Sequence, residues 1–395
     1  MTNVFDKSLR ADPFGVYRKL RENGRLHASG FGIHLVPHYA DCAAVLNDPD
    51  WGHGYTAGIN PFRPGVDPAD LPGSFLLLDP PEHGRLRALV AKAFTQRSIA
   101  ALRPGITALV DRLVDDALEA GEVDLVEALA FPVPLTTICE LLGVPVADRA
   151  LFGDWTRDIS RGLDPDAVLT DTEKSARGVA VEQFAAYFTD LIEHRRARPA
   201  DDLLSRLVAA EERGDRLTVK EIIDIGVLLL IAGHETTMNL ISSGVLALHR
   251  HPDQVEPMLT DPAVAVEELL RFDTPVPFPT RVALRDVELA GQELPRGTGV
   301  ILLLGSANRD PAAFPDPDRL DVRRFAGEAA RRQLAFSHGP HFCLGAPMAR
   351  LESALTFERL YTRAEVTVLT DTPEYRPSVS MRGLATLPVS LRRKP

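Results

Sequence analysis

The residue in this sequence best placed to do chemistry is Cys343. It stands in Phe336-Ser-His-Gly-Pro-His341-Phe-Cys343-Leu-Gly345-Ala-Pro-Met-Ala-Arg350, a loop bounded by Gly339 and Gly345 with an amphipathic segment directly behind it. Leu344, Met348, Leu351 and Leu355 keep the spacing of one helical face. Pro347 falls in the first turn, where a missing N–H costs nothing. The thiol therefore lies at a helix N-terminus, where orphan N–H groups and the dipole are expected to lower its pKa. A thiolate held there is a nucleophile or a metal ligand. The neighbours favour a ligand. Gly339 and Gly345 permit positive φ or close approach to a flat partner, His341 can reach an acidic group on that partner, and Phe336 can shield the sulfur from water. Free cysteines are often just small buried hydrophobes. That does not account for the glycines, the histidine and the helix start together.

Three further constellations stand out. Thr218-Val-Lys-Glu221 is a capping box that opens a helix running to about Arg250, roughly 45 Å long. Ile222 to Ile231 is apolar nearly all round, which marks a helix buried through a large domain. In its middle stands Ala232-Gly233-His234-Glu235-Thr236-Thr237, where a carboxylate and hydroxyls cost desolvation unless they are used. Gly233 leaves room beside the helix, and a threonine hydroxyl can bond back to a carbonyl. Earlier, Asp79-Pro-Pro-Glu-His83-Gly-Arg85-Leu-Arg87 opens a helix with His83 and Arg87 on one face, while Arg85 reads as exposed basic surface. Lastly, Arg271 can pair with Glu268, three residues back, or with Glu267, four back.

Together these stretches resemble the cytochrome P-450 monooxygenases. Phe-x-x-Gly-x-His-x-Cys-x-Gly with Ala349-Arg350 is similar to that family's haem-binding loop, and the motifs follow in the family's order along nearly the whole chain. The resemblance implies haem b (iron protoporphyrin IX) with Cys343 as the proximal thiolate to iron, a ligand that favours O–O cleavage. It implies that His83, Arg87, Arg281 and His341 hold the haem propionates, Arg281 in the pattern Arg-x-Ala-x-x-Asp-Val-Glu. It gives Thr236 the task of hydrogen-bonding the oxygen being activated, and Glu235 that of relaying protons. Glu268, Arg271 and Arg319, the last from Phe314-Pro-Asp-Pro-Asp-Arg319, become a structural network under the loop. Ala232, Pro275, Val276 and Met381 line the substrate pocket on the same grounds.

The elements that must position these residues read as mainly α with a small β region, one P-450-type domain over residues 1–395. Helices are expected over about 13–22, 39–46, 79–94, 99–120, 134–142, 147–161, 173–198 and 201–212, with a strand at Phe31–Val36. Trp51 to Ser74 is broken by Gly and Pro and reads as a long loop, which the resemblance makes a roof over the pocket. Gly162 to Thr172 corresponds to a mobile lid. Thr280 to Val300 reads as strands with a turn at Ala290-Gly291.

Composition bounds the rest. The chain is 45% hydrophobic with a net charge of −11, which argues against nucleic acid as a partner. No continuous apolar run is long enough for a membrane anchor, no signal peptide is evident, and three scattered cysteines exclude a disulfide framework, so a cytoplasmic location is expected. The reaction implied is O2-dependent hydroxylation or epoxidation of a small hydrophobic substrate, by analogy a secondary metabolite. No Gly-x-Gly-x-x-Gly appears and no room for a flavin domain is seen, so electrons are expected from a ferredoxin and its reductase. Arg331, Arg332, Lys92, Arg97 and Arg350 are candidate docking charges. A peroxide-driven relative typically lacks the acid–threonine pair, and a haem-thiolate sensor has no need of proton delivery.

Overall fold

In the computed structural model, Thr218 and Glu221 close the capping box predicted for them. The Thr218 hydroxyl accepts from Glu221 N at 3.2 Å, and the Glu221 carboxylate accepts from Thr218 N at 2.7 Å. The helix they start runs over Val219–Arg250 and is the axis of the molecule. It is long and apolar enough to cross a membrane, yet 83% of its most apolar window is buried inside the fold, as a core helix should be. The structure describes residues 6, 9–29, 33–68, 74–161, 164, 169–212, 217–327 and 331–395.

Around this axis pack helices Pro132–Leu142, Arg149–Arg161, Asp171–Ala197 and Ala346–Arg363, all contributing to one large apolar cluster. Gln96–Ala120 lies against Ala346–Arg363 and keeps Pro104 inside it. Several helices begin within three residues of expectation: Phe14–Glu22, Tyr39–Asn47, Glu82–Ala91 and Leu203–Glu212; Glu267, Glu268 and Arg271 lie on the helix Pro262–Phe272. A smaller apolar cluster backs a five-stranded sheet, in the order His27–Ala28, Ile33–Val36, Gly299–Leu302, Thr280–Ala283, Trp51–Gly52. The strand expected from Phe31 is seen from Ile33; residues 31 and 32 lie outside the described residues. Trp51–Gly52, read as the start of a loop, is instead an edge strand paired antiparallel with Val282–Ala283. Most of the segment read as a lid, 162–163 and 165–168, also lies outside the described residues. Val287–Leu289 and Gln292–Leu294 form the expected hairpin, with Ala290 at φ 54° and Gly291 at φ 79°.

A buried ion network ties the helix Pro262–Phe272 to the cysteine loop. Glu268 and Arg271 are fully buried and paired twice, at 2.7 and 2.8 Å. Arg271 also donates to the carbonyls of Asn308 and Pro317, each at 2.8 Å, and Asn308 Oδ1 accepts from Leu334 N at 2.8 Å, just before the loop. The third member is Arg324, whose Nε sits 3.1 and 3.2 Å from the Glu268 oxygens. This corrects the expectation for Arg319. The turn at Asp316 (φ 45°) leaves Arg319 exposed, and it offers only its carbonyl to Arg271, at 3.3 Å. Glu267 does not reach Arg271 either. It pairs with Arg350 and accepts from Gln333 at 3.1 Å, so Arg350, whose guanidinium stacks 4.6 Å over Phe336, is bound into the scaffold. Arg85 is likewise no free surface charge, because it bridges Glu82 at 2.8 Å and Glu221 on the central helix.

Candidate functional site

The cysteine loop is shaped by its backbone. Cys343 N donates to the Phe336 carbonyl at 2.9 Å, and Phe336 is buried beneath it. Gly339 has φ 67°, and a Cβ there would fall 2.2 Å from the carbonyl oxygen of Leu46, so both conformation and space demand glycine. Gly345 has an ordinary φ of −81° and open space beside it. Unlike Cys42 and Cys139, Cys343 keeps part of its surface accessible. Its thiol is pushed up, not down. Burial outweighs the N–H groups of Gly345 and Ala346 and the charges of Arg87 and Arg350. The helix-terminus argument made from sequence is overruled by desolvation, which disfavours a free thiolate nucleophile. A metal ion takes that proton off on binding, so the ligand role is the one this environment suits.

Beside the loop lies a cluster of cationic and imidazole side chains. The His83 ring, from helix Glu82–Ala91, is 4.0 Å from the His341 ring, which in turn meets His53 edge-on at 4.8 Å. Arg87 donates to the Phe342 carbonyl. Arg281 is 4% exposed on its strand and donates to its neighbour's carbonyl, Thr280 O, at 2.8 Å. Burial, then Arg281, His83 and Arg87, push His341 down to about 3. Burial lowers Arg281 to about 10, against the pull of Asp79. Burial and then Arg87 lower His83, whose Nε2 has no partner among the described residues. Asp79 itself spends its carboxylate on the backbone N–H groups of His53 and Gly54, at 2.7 and 2.8 Å. Buried donors without an acceptor call for an anionic guest.

On the central helix the predicted pair separates. Ala232 is exposed and Gly233 and Thr236 partly so, in the middle of a largely buried run, and Ala232 and Thr236 share one face four residues apart. The Thr236 hydroxyl donates to the Ala232 carbonyl at 2.7 Å. Glu235, 3% exposed, turns away and takes Arg376 Nη1 on both oxygens, at 2.9 and 3.1 Å. Burial still raises its carboxyl, against Arg376 and Ser160. His234 is buried edge-on to Phe131 at 4.5 Å and pushed down to about 3, chiefly by burial. Pro275 is buried and its carbonyl accepts Arg382 N at 2.8 Å, which joins it to the turn carrying the buried Met381. Val276 beside it is partly exposed.

Sequence reasoning missed four residues: His53, Arg376, Arg324 and Glu352. Glu352 is a fully buried carboxyl on helix Ala346–Arg363 with no hydrogen-bond partner among the described residues. Its place on the buried face could have been read from the helical spacing behind Cys343. The partners of the other three are distant in sequence, and no local pattern announces them.

The family model for cytochrome P-450 matches residues 263–392, which hold the ion network, Arg281 and the cysteine loop. Across the full length, the chain is 40% identical to cytochrome P-450 monooxygenase PikC of Streptomyces venezuelae, over 97% of this chain and 92% of that one. This protein belongs to the cytochrome P-450 family. It is also 36% identical to the polyketide biosynthesis cytochrome P-450 PksS of Bacillus subtilis, over 100% of this chain and 99% of that one. The solved structure of PksS superposes with a TM-score of 0.88, covering 99% of this chain and 100% of that one. The crystal structure of CalO2 gives 0.89 at 32% identity, covering 98% of each chain. The fold is the mainly α P-450 fold expected, and the chain is a haem-dependent P-450 monooxygenase. The site suits haem b: a cysteine suited to a metal stands near the buried Arg281 and two imidazole nitrogens, His53 Nε2 and His83 Nε2, that have no partner among the described residues, as carboxylates on a guest would use.

Proposed function

We propose that this P-450 oxygenates a small hydrophobic secondary metabolite with O2, by hydroxylation or epoxidation, using electrons from a ferredoxin and its reductase in the cytoplasm. The observation that carries this reading is the acid–alcohol pair on the central helix, with Thr236 on the open face beside Ala232 and Glu235 behind it. A peroxygenase or a ligand sensor has no need of such a pair.

Haem b, ligated by Cys343, supplies the redox and oxygen chemistry when bound. The protein's own groups do the rest. His83, Arg87, Arg281 and His341 would hold the two propionates. Glu235, its carboxyl raised by burial, holds a proton at its oxygens more readily than an exposed carboxylate would. Thr236 Oγ1, whose hydroxyl donates to the Ala232 carbonyl at 2.7 Å, would orient a proton on the open face. Ala232, Pro275, Val276 and Met381 provide an apolar wall that excludes water from this exchange. PikC and the polyketide enzyme PksS support a hydrophobic metabolite as the substrate class. The deciding experiment compares NAD(P)H-driven turnover, with ferredoxin and reductase, against turnover driven by hydrogen peroxide. Product formed only from peroxide identifies a peroxygenase, and tight ligand binding without product from either identifies a sensor.

A further inference from the structure

His53 lies in the stretch read from sequence as a long loop, which the family resemblance makes a pocket roof, yet it is 5% exposed and sits against the propionate donors. Its place follows from strand register. Trp51 faces Ala283 and Gly52 faces Val282, so the next pair in that antiparallel ladder sets His53 opposite Arg281. Directly opposed residues project from the same face of a sheet. His53 and Arg281 therefore address the same space.

The backbone around His53 is fully committed. Its N–H donates to Asp79 Oδ1 at 2.7 Å, and its carbonyl accepts from Asn60 Nδ2 at 2.6 Å. Asp79 can lie there because residue 52 is glycine: a Cβ would stand 2.3 Å from Asp79 Oδ1. The ring is the part left over. His53 Nε2 is buried and has no partner among the described residues. Burial first, then the Arg281 charge and the crowding of the His341 and His83 rings, keep the ring neutral, with one N–H to give. A neutral imidazole so placed beside an arginine, its buried Nε2 without a partner among the described residues, is costly unless an anionic acceptor arrives.

We infer that His53 is a further donor to the haem carboxylates, hydrogen-bonding the propionate that Arg281 also holds. This rests on the reading that His83, Arg87, Arg281 and His341 bind the propionates. Asp79 and Gly52 act as positioning residues, because they set the backbone that aims the ring.

The test measures haem loss from the intact holoenzyme to excess apomyoglobin. His53→Leu should release haem roughly ten-fold faster or more, the change expected for one charge-assisted hydrogen bond. His53→Gln, which keeps an N–H donor, should recover much of the difference. Protein reconstituted with haem dimethyl ester, which has no carboxylates, should show no gap between wild type and His53→Leu. Unfolding of the apoprotein should be no easier in His53→Leu, since an unpartnered polar atom is replaced by an apolar one. Equal release from wild type and His53→Leu overturns the proposal, as does an equal gap with haem and its ester, which would report damaged packing. His53→Phe repeats the measurement where the leucine variant folds poorly. His83→Leu is run alongside: if it too loses haem at the wild-type rate, the propionate reading itself fails.

Discussion

The Glu235 carboxylate is bound at both oxygens by a single nitrogen, Nη1 of Arg376, 141 residues further along the chain. Both side chains are largely buried, at 4% and 19% side-chain exposure. Removing one partner of a buried pair strands the other charge. Arg376→Met should cost roughly 3–5 kcal/mol. The folded-state pKa of Glu235 is already raised, so the folded protein holds this proton more tightly than the unfolded chain, and stability falls as pH rises. Without Arg376 the raise grows, so the loss in urea unfolding should be larger at pH 8 than at pH 5. Adding Glu235→Gln should restore much of it. A loss independent of pH would show that the ion pair is not the cause.

Glu352 makes a second pH prediction. Burial pushes its carboxyl up to about 8, and the nearby Thr137 hydroxyl is occupied by the Val133 carbonyl at 2.9 Å. The folded state therefore binds this proton between pH 4.5 and about 8, where the unfolded chain has released it. Its contribution should favour the fold below that window and decline by a few kcal/mol as pH rises through it. Glu352→Gln should flatten that part of the stability profile; an unchanged slope would show that the carboxyl is ionised inside the fold.

Thr236→Val removes a hydroxyl whose one bond among the described residues is to its own helix, at 2.7 Å. Stability should move by no more than about 1 kcal/mol. NAD(P)H consumption should continue, while a large share of the reducing equivalents leaves as hydrogen peroxide instead of product. Wild-type coupling in this variant would remove Thr236 from proton handling.

Cys343→His should abolish the red-shifted Soret band that a thiolate-ligated haem gives when reduced under CO. Cys42→Ser and Cys139→Ser should keep it, since both of those thiols are fully buried. Loss of the band in either serine variant with retention in Cys343→His would reassign the ligand.

Arg332 is exposed and follows Arg331, whose guanidinium lies 5.3 Å over Tyr39. With a net charge of −11 the molecule repels an acidic ferredoxin except at a local basic patch. Arg332→Glu should lower ferredoxin-supported turnover several-fold and leave peroxide-driven turnover nearly intact. Raising salt should weaken the wild type toward the variant, because exposed charges are screened beyond about 10 Å at 0.1 M. Equal losses in both assays would indicate altered packing around the haem loop.

What the sequence determined by itself is what short stretches of chain determine. The capping box at Thr218 and Glu221, the helix behind Cys343, the turn at Ala290-Gly291 and the left-handed Gly339 each depend on a few neighbouring residues. Each was legible for that reason, and so was the family, whose motifs are contiguous. The tertiary structure decided everything that depends on what packs alongside. Arg324 in place of Arg319 at Glu268, Arg376 at Glu235 and the His53 ring against His341 are pairings made across the fold, and no local spacing encodes them. The Cys343 thiol shows the physical reason most directly. The helix terminus that should lower its pKa is present in the sequence, but the burial that raises it comes from residues throughout the chain, and for this thiol the burial is the larger effect.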